Sequence, residues 1–309
     1  MKNTSPARTL AVRQRSRVEN TSQPATVMSM YPYWFYLPAL LIFGLFFLVP
    51  SLMAFYYSLT RWTLFESQFI GLKNYSTFLQ DPQLKLALRN TVIYALLTSG
   101  FKTIIALPVA ALLTSRIKFK GFFRSVVFFP VLVSTVAVGA TFSTLMQPST
   151  GLINQFLSLF GVPKIEWLGN PQLAIYSVAL VDIWKGIGIA IVILMAGIQS
   201  IPTEYFDAAK LEGGAWVAFR HVILPLSRNA AFTVILLSLI SGLRSFDLIW
   251  TLTQGGPGFA SDVLTSVVLK QYQAGFYGLS AAGNVLIFLF VTIIAFPLMR
   301  FFTRLEIET

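Results

Sequence analysis

Several reactive residue types are rare or missing in this chain of 309 residues. It has no cysteine and a single histidine, His221. Disulfide scaffolds, thiolate metal sites and cysteine nucleophiles are therefore excluded, as are metal centres that need several histidines. Charged residues make up only 11% of the chain, against about 25% in an average soluble domain. The dipeptide Gly-Lys does not occur, so the chain lacks the Gly-rich phosphate-binding loop of many ATP-hydrolysing proteins.

Apolar residues are correspondingly abundant. They account for 55% of the chain, and 28 residues are phenylalanine. A soluble fold of this size could not bury so much apolar surface in one core, and the same excess excludes a disordered chain. The net charge of +11 then indicates basic residues that flank membrane spans rather than a surface for nucleic acid. The composition predicts an integral membrane protein surrounded by lipid, with no nucleic-acid partner.

The apolar residues are grouped into long continuous runs. A bilayer core about 30 Å thick needs about 20 apolar residues for each helix that crosses it. Six runs are long enough, and their continuity favours helices over a barrel. The predicted spans cover 33–59, 91–113, 122–146, 173–198, 230–252 and 279–302. The fold class is therefore predicted to be all-α, with six transmembrane helices.

The polar segments predict domain organisation and orientation. Residues 1–30 contain Lys2 and four arginines but no apolar run, so they are not a signal peptide. We predict a mobile basic cytoplasmic tail there, followed by a membrane domain over 31–309. Lysine and arginine are concentrated between the second and third spans, between the fourth and fifth, and near the C-terminal end. The positive-inside rule then predicts that both termini are cytoplasmic, although four basic residues between the first two spans dissent: Arg61, Lys73, Lys85 and Arg89.

The loop between the fourth and fifth spans, residues 199–229, reads QSIPTEYFDAAKLEGGAWVAFRHVILPLSRN. This pattern predicts a short helix over 204–212, with Thr203 as its N-cap and Gly213 and Gly214 as its stop. Such a helix is too short and too polar to cross a bilayer. Its small residues, Ala208 and Ala209, leave a face on which another protein can dock. Its acids, Glu204, Asp207 and Glu212, would meet basic groups there. A helix that lies along the lipid headgroups is an equally open alternative.

Polar side chains within the spans are costly in lipid and normally face a bundle interior or a water-filled cavity. The fourth span carries Asp182 and Lys185, and the fifth carries Ser241, Arg244, Ser245 and Asp247. The second span carries Lys102. These residues indicate a solute pathway. The alternative is that Asp182 with Lys185, and Arg244 with Asp247, form structural ion pairs. Gly186 likewise suits either a close approach of solute or close helix packing.

An ordered series of motifs gives these features a family context. Asp207-Ala208-Ala209, three further residues and Gly213, and later VILP, resemble the EAA loop of permease subunits in bacterial ATP-binding cassette importers. The resemblance covers roughly 33–305 and is to the maltose/glycerol-phosphate branch. It also rests on YLPALLIFGLFFLVPSLMAFYYSLTRW, FIGLKNYSTFLQDP, LRNTV, FRSVVFFPVLVS, DIWKGIGIAIVILMAGIQSIP and FDLIWTLTQGGPG. Two departures are Asp207, where the family usually has glutamate, and a Gly213–Val222 spacing one residue shorter than usual.

The resemblance implies a type I importer permease fold in the bacterial inner membrane, with a cytoplasmic coupling helix between helices 4 and 5. It implies a second permease, two copies of a cytoplasmic ATP-binding subunit that carry ATP and Mg²⁺, and an extracytoplasmic solute-binding protein. The solute would be a sugar, glycoside or related polyol, and this chain would bind no cofactor. The implied coupling residues are Glu204, Asp207, Ala208, Ala209, Glu212 and Gly213. The implied pathway residues are Asp182, Lys185, Gly186, Ile189, Ser241, Arg244 and Ser245.

Two other classes of protein compete with this interpretation. An ion-coupled secondary transporter would need paired inverted repeats with broken helices, and the sequence has no convincing repeat of that kind. A membrane-embedded enzyme would need convergent nucleophilic, acid–base or metal-binding groups, for which one histidine and no cysteine leave few options. No catalytic or metal-ligating residue is therefore expected. The identity of the solute stays open among disaccharides, longer oligosaccharides, glycosylated osmolytes and glycerol phosphate.

Overall fold

The computed structural model of this chain describes residues 33–305. The tail predicted over 1–30 lies outside the described residues. The chain divides into two units, one of residues up to Leu52 and one from Met53 onward. The long apolar helix α1 (Trp34–Ser58) starts in the first unit. In that unit its large apolar side chains, such as Leu40 and Phe46, are exposed, which suits a helix that faces lipid.

The second unit is built mainly of helices. A short antiparallel hairpin pairs β1 (Thr60–Trp62) with β2 (Ser67–Phe69). The helices that follow are α2 (Lys73–Gln80), α3 (Pro82–Thr114), α4 (Lys120–Leu132), α5 (Thr135–Leu145), α6 (Leu152–Ser158), α7 (Ala174–Gln199), α8 (Thr203–Glu212), α9 (Ala215–Leu226), α10 (Arg228–Leu243), α11 (Asp247–Thr253), α12 (Leu264–Gln273) and α13 (Tyr277–Leu305).

Four of these helices, α1, α3, α7 and α13, are long and apolar enough to cross a membrane. Two bent pairs also qualify if each pair is one span. The pair α4 and α5 bends by 97°, and the pair α9 and α10 bends by 63°. The described residues therefore contain four to six membrane spans.

The prediction of one continuous helix over 122–146 is wrong. The helix α4 ends at Leu132, and Val133 and Ser134 are extended before α5 begins. Pro130 lies in the last turn of α4. Proline has no N–H and its ring crowds the preceding turn, so Pro130 weakens the end of α4. It does not enforce the break alone, since α3 and α13 continue beyond Pro108 and Pro297.

The prediction of one continuous helix over 230–252 is also wrong. The helix α10 ends at Leu243, and α11 begins at Asp247. The Thr265 hydroxyl donates a hydrogen bond of 2.6 Å to the carbonyl oxygen of Ser245. This contact from a distant helix occupies a carbonyl group that a continuing helix would use for itself. We call residues 244–246 the α10–α11 break.

Close approach of helices holds the interior together. Small residues of α3 and α7, among them Ala106, Ala110 and Ala190, are fully or almost fully buried in one apolar cluster with Leu194. The helix α10 packs on α3 at Gly242, where a Cβ atom would lie 2.7 Å from the Cα of Ala95. Small residues let membrane helices approach each other in this way, and the approach places α3, α7 and α10 around one shared space.

Candidate functional site

A cavity of about 510 Å³ lies between α3, α7, α10 and the α10–α11 break. All seven residues predicted for the solute pathway line it: Asp182, Lys185, Gly186, Ile189, Ser241, Arg244 and Ser245. Lys102 and Asp247 line it as well. The fold thus brings together side chains from three helices that are far apart in the sequence. Their contact with solute stays a prediction.

An ion pair joins two helices at the wall of this cavity. The Nζ of Lys102 on α3 lies 2.8 Å from Oδ2 of Asp182 on α7. The Lys102 side chain is only 6% exposed and that of Asp182 is 22% exposed. The alternative pairing of Asp182 with Lys185 is therefore wrong, because α3 runs beside α7 and brings a cation closer than one on the same helix. The pairing of Arg244 with Asp247 is also not formed among residues 33–305.

Gly186 makes room for this ion pair. A Cβ atom built on Gly186 would lie 2.8 Å from Nζ and 2.9 Å from Cε of Lys102. A side chain at this position would therefore force the end of the Lys102 side chain to shift. The structure therefore gives Gly186 a packing role towards Lys102, in addition to its place on the cavity wall.

A second polar connection fixes the α10–α11 break. The Ser245 hydroxyl donates a hydrogen bond of 3.3 Å to the hydroxyl oxygen of Tyr94, which is fully buried on α3. Together with the bond from Thr265 to the Ser245 carbonyl, this contact ties the break to α3 and α12. In the sequence, Lys102 stands out because it is a charged residue inside a predicted span. Nothing in the sequence indicated a role for Tyr94 or Thr265.

The break changes the geometry predicted for the fifth span. The predicted fifth span holds Ser241, Arg244 and Ser245 in one helix over 230–252, yet α10 ends at Leu243 and Arg244 follows it as the C-cap. Arg244 is exposed and Ser245 is partly buried. All three residues still reach the cavity, because the break keeps the chain beside α3 instead of extending it.

The predicted loop helix is present as α8, with one difference at its start. The N-cap is Pro202 and Thr203 is the first helical residue, without a side-chain capping bond. The glycine stop is confirmed. Gly213 has φ +152° and Gly214 has φ +78°, and the Gly214 N–H donates to the carbonyl oxygen of Ala209 at 2.9 Å. Glycine adopts such positive φ angles without the penalty that a Cβ imposes.

The prediction that Ala208 and Ala209 share a docking face is wrong for Ala209. That residue is 3% exposed and packs in one cluster with Ile201 and Val222. The glycine stop folds α9 back against α8, which covers this side of the helix. Ala208 stays exposed, and so do the predicted acids Glu204, Asp207 and Glu212.

The exposed side of this loop is more apolar than a solvated helix needs to be. Leu211 is 91% exposed, Trp216 is 70% exposed and Tyr205 is 52% exposed. Between them, Lys210 Nζ lies 2.6 Å from Asp207 Oδ1. The hydrogen bond from Lys210 lowers the pKa of the Asp207 carboxyl below its usual range, and the positive charge of Lys210 is the second largest cause of this shift. Sequence reasoning missed the three apolar residues, because each looks like a core residue when taken alone.

A comparison with protein families decides between the classes of protein. The model of the family described as "binding-protein-dependent transport system inner membrane component" matches residues 84–306. The chain belongs to this family. It is a multi-pass inner-membrane permease and a transport subunit rather than an enzyme. The prediction of an importer permease is thereby confirmed over the secondary transporter and the membrane-embedded enzyme.

Individual relatives cover most of the chain. The trehalose/maltose transport system permease protein MalF of Thermococcus litoralis is 32% identical over 87% of this chain and 93% of its own. The arabinooligosaccharides transport system permease protein AraP of Bacillus subtilis is 32% identical over 85% of each chain. The sn-glycerol-3-phosphate transport system permease protein UgpA of Pectobacterium atrosepticum is 30% identical over 92% of this chain and 98% of its own.

Solved structures share the fold. A bacterial ABC transporter involved in the import of the acidic polysaccharide alginate matches with a TM-score of 0.79 and 21% identity, covering 89% of this chain and 96% of that chain. A second structure, the alginate transporter in complex with an alginate pentasaccharide-bound periplasmic protein, matches with a TM-score of 0.74 and 22% identity, covering 86% and 91%. The helical permease architecture is therefore shared by proteins of low sequence identity.

Proposed function

We propose that this chain and a second permease subunit together form the pathway of an ATP-driven importer for a sugar, glycoside or related polyol. The observation that carries the proposal is the cavity between α3, α7 and α10, because it gathers hydroxyl and charged groups inside otherwise apolar spans. Such groups can replace the hydrogen bonds that a polyhydroxylated solute loses when it leaves water. Relatives named for trehalose, maltose and arabinooligosaccharides support the sugar class. A solute-binding protein would deliver the solute from outside, as the family description suggests.

The proposed topology counts six spans, with each bent pair as one span. Both termini and the loop that contains α8 then lie in the cytoplasm of a bacterial cell, which agrees with most of the lysine and arginine positions. The helix α8 becomes the coupling helix between the fourth and fifth spans. It is 10 residues long, so it can form a short projection but cannot cross the bilayer.

The proposed coupling partner is a pair of cytoplasmic ATP-binding subunits that carry ATP and Mg²⁺. Exposed Leu211, Trp216 and Tyr205 supply an apolar contact, and Glu204, Asp207 and Glu212 supply charge around it. Closure of the two subunits around ATP would move α8. Because α8 follows α7 after three residues and packs against α9 through Ala209, its movement would be passed to both neighbouring spans.

The pathway is tested by replacing Arg244 and Ser245 together with alanine. We expect uptake of solute by the reconstituted importer to fall by about tenfold or more, because hydrogen bonds to a charged group each contribute about 1.5–3 kcal/mol. Co-purification with the second permease and the ATP-binding subunits should be unchanged. Lys85→Ala, at an exposed cation outside the cavity, is the control. Normal uptake by the double variant would remove these two residues from the solute pathway.

A further inference from the structure

The charges on the cavity wall are unequal. Five charged side chains line it, and three of them are cations: Lys102, Lys185 and Arg244, against Asp182 and Asp247. The remaining wall mixes hydroxyl groups, such as that of Ser238, with apolar residues such as Ile193 and Leu237. Within a membrane span, a charge is costly unless another charge, a polar ligand or water compensates for it.

Only one of these three cations forms an ion pair with an acid in the described part of the chain. Lys102 is neutralised by Asp182 at 2.8 Å, and Gly186 provides the space for that contact. Within residues 33–305, neither Lys185 nor Arg244 forms an ion pair with an acid. Asp247 lies in the first turn of α11, where the positive end of the helix favours a negative charge. Lys185 and Arg244 therefore remain as cations without an acidic partner in the described part of the chain.

These two cations come from different elements, Lys185 from α7 and Arg244 from the α10–α11 break, and both line the same cavity. The planar guanidinium of arginine matches the geometry of a carboxylate or a phosphate, because it can donate two parallel hydrogen bonds. A lysine ammonium adds a compact positive charge. An excess of positive charge on the wall of a cavity also raises the local concentration of anions.

We propose that the imported solute carries an anionic group, either a carboxylate or a phosphate monoester, which Lys185 and Arg244 bind during its passage. This inference rests on the proposed sugar-importing function and narrows it from polyols in general to acidic sugars or sugar phosphates. Lys102 does not take part in binding the anion, since Asp182 already neutralises it. The hydroxyl group of Ser241, which also lines the cavity, is left for the neutral part of the solute.

The first arm of the test asks which solutes the complete importer carries. The two permeases and the ATP-binding pair are reconstituted in proteoliposomes with the solute-binding protein. The probes are matched disaccharides: a neutral one, one with a glucuronate residue in place of a glucose, and one with a 6-phosphate. We expect uptake of one anionic probe to exceed that of the neutral disaccharide at least about tenfold. The preferred anionic probe distinguishes a carboxylate from a phosphate.

The second arm assigns the selectivity to this chain. Lys185→Gln and Arg244→Gln should each lower uptake of the preferred anionic probe by about tenfold, the effect of one lost hydrogen bond to a charge. The ratio of anionic to neutral uptake should fall with it. Arg244→Lys keeps the positive charge but loses the planar guanidinium with its two parallel donors, so it should retain part of the uptake of the anionic probe. Lys73→Gln removes an exposed cation that does not line the cavity and should change neither rate.

Three outcomes would overturn the inference. If the neutral disaccharide is carried as fast as the anionic ones, the sugar-importing function stands and the anionic solute is wrong. If Lys185→Gln and Arg244→Gln release the second permease during purification, the cations pair with acids of that subunit instead of binding solute. If the importer carries an amino acid and none of the disaccharides, the proposed function itself fails.

Discussion

Replacing Gly213 with leucine is expected to reduce solute-stimulated ATP hydrolysis by the assembled importer to its unstimulated rate. Gly213 has φ +152°, and a Cβ atom there would lie 2.6 Å from Cγ2 of Val217. A side chain at this position therefore strains the backbone by about 1–3 kcal/mol and pushes α9 away from α8. The coupling helix would then present its exposed residues to the ATP-binding subunit at the wrong angle. Phosphate release, measured with and without the loaded solute-binding protein, gives the stimulated rate.

A matched control separates this effect from general damage to the permease. Gly100 lies within α3 and has no atom within 4 Å of its built Cβ, so Gly100→Ala should leave stimulated hydrolysis unchanged. Asp207→Lys is a second test of the same surface, because Asp207 is 68% exposed and its replacement should not disturb folding. It should weaken binding of the ATP-binding subunit, whereas Glu66→Lys on the hairpin turn should not. Unchanged stimulation in both Gly213→Leu and Asp207→Lys would contradict the proposed coupling role of α8.

Breaking the ion pair between Lys102 and Asp182 is expected to be the most destabilising change in the cavity. Lys102→Met leaves the Asp182 carboxylate without its cation, and Asp182→Asn leaves the Lys102 ammonium without its anion. Removing one partner of a buried pair costs about 3–5 kcal/mol. We expect each single variant to lose about 3 kcal/mol of stability, at the lower end of that range, because the Asp182 side chain is still 22% exposed. Thermal or denaturant unfolding of the purified complex in detergent measures the loss.

The double variant, Lys102→Met with Asp182→Asn, decides whether the two residues act as a pair. Since it leaves no uncompensated charge, it should recover most of the stability that each single variant loses. Lys85→Met, at an exposed cation, is the control for removing a lysine. It should leave the free energy of unfolding almost unchanged. Additive losses in the double variant would mean that the two side chains do not stabilise each other, despite the 2.8 Å contact.

The sequence predicts the long helices best, because their boundaries are set by local composition. The fourth span was expected over 173–198, and α7 covers Ala174–Gln199. The glycine stop of α8 was also readable, since only Gly213 and Gly214 suit a chain that reverses there with positive φ. These two features depend on neighbouring residues and were recovered within a residue or so. The start of the second span was not: it was expected over 91–113, and α3 begins nine residues earlier, at Pro82.

Features that depend on distant residues were missed. No proline marks the break after Leu243, and the neighbouring Gly242 packs on α3. The break depends on Thr265 and Tyr94, which lie 20 and 151 positions from Ser245. The partner of Asp182 is 80 positions away, so the nearby Lys185 looked like the natural choice. Ala209 looked free because its cover, α9, lies beyond the two glycines. In each case the packing of helices against each other, and not local propensity, decides the structure.

The most direct test of the account asks on which side of the membrane α8 lies and what covers it there. The chain has no cysteine, so a single introduced cysteine reports one site. Leu211 on α8 is 91% exposed, and Phe65 on the hairpin turn is 94% exposed. A membrane-impermeant maleimide should label Leu211→Cys only in inside-out vesicles, and it should do so more slowly when the ATP-binding subunits are bound. The same reagent should label Phe65→Cys only in right-side-out vesicles. Labelling of Leu211→Cys from outside, or at a rate that the ATP-binding subunits do not change, would contradict the coupling helix.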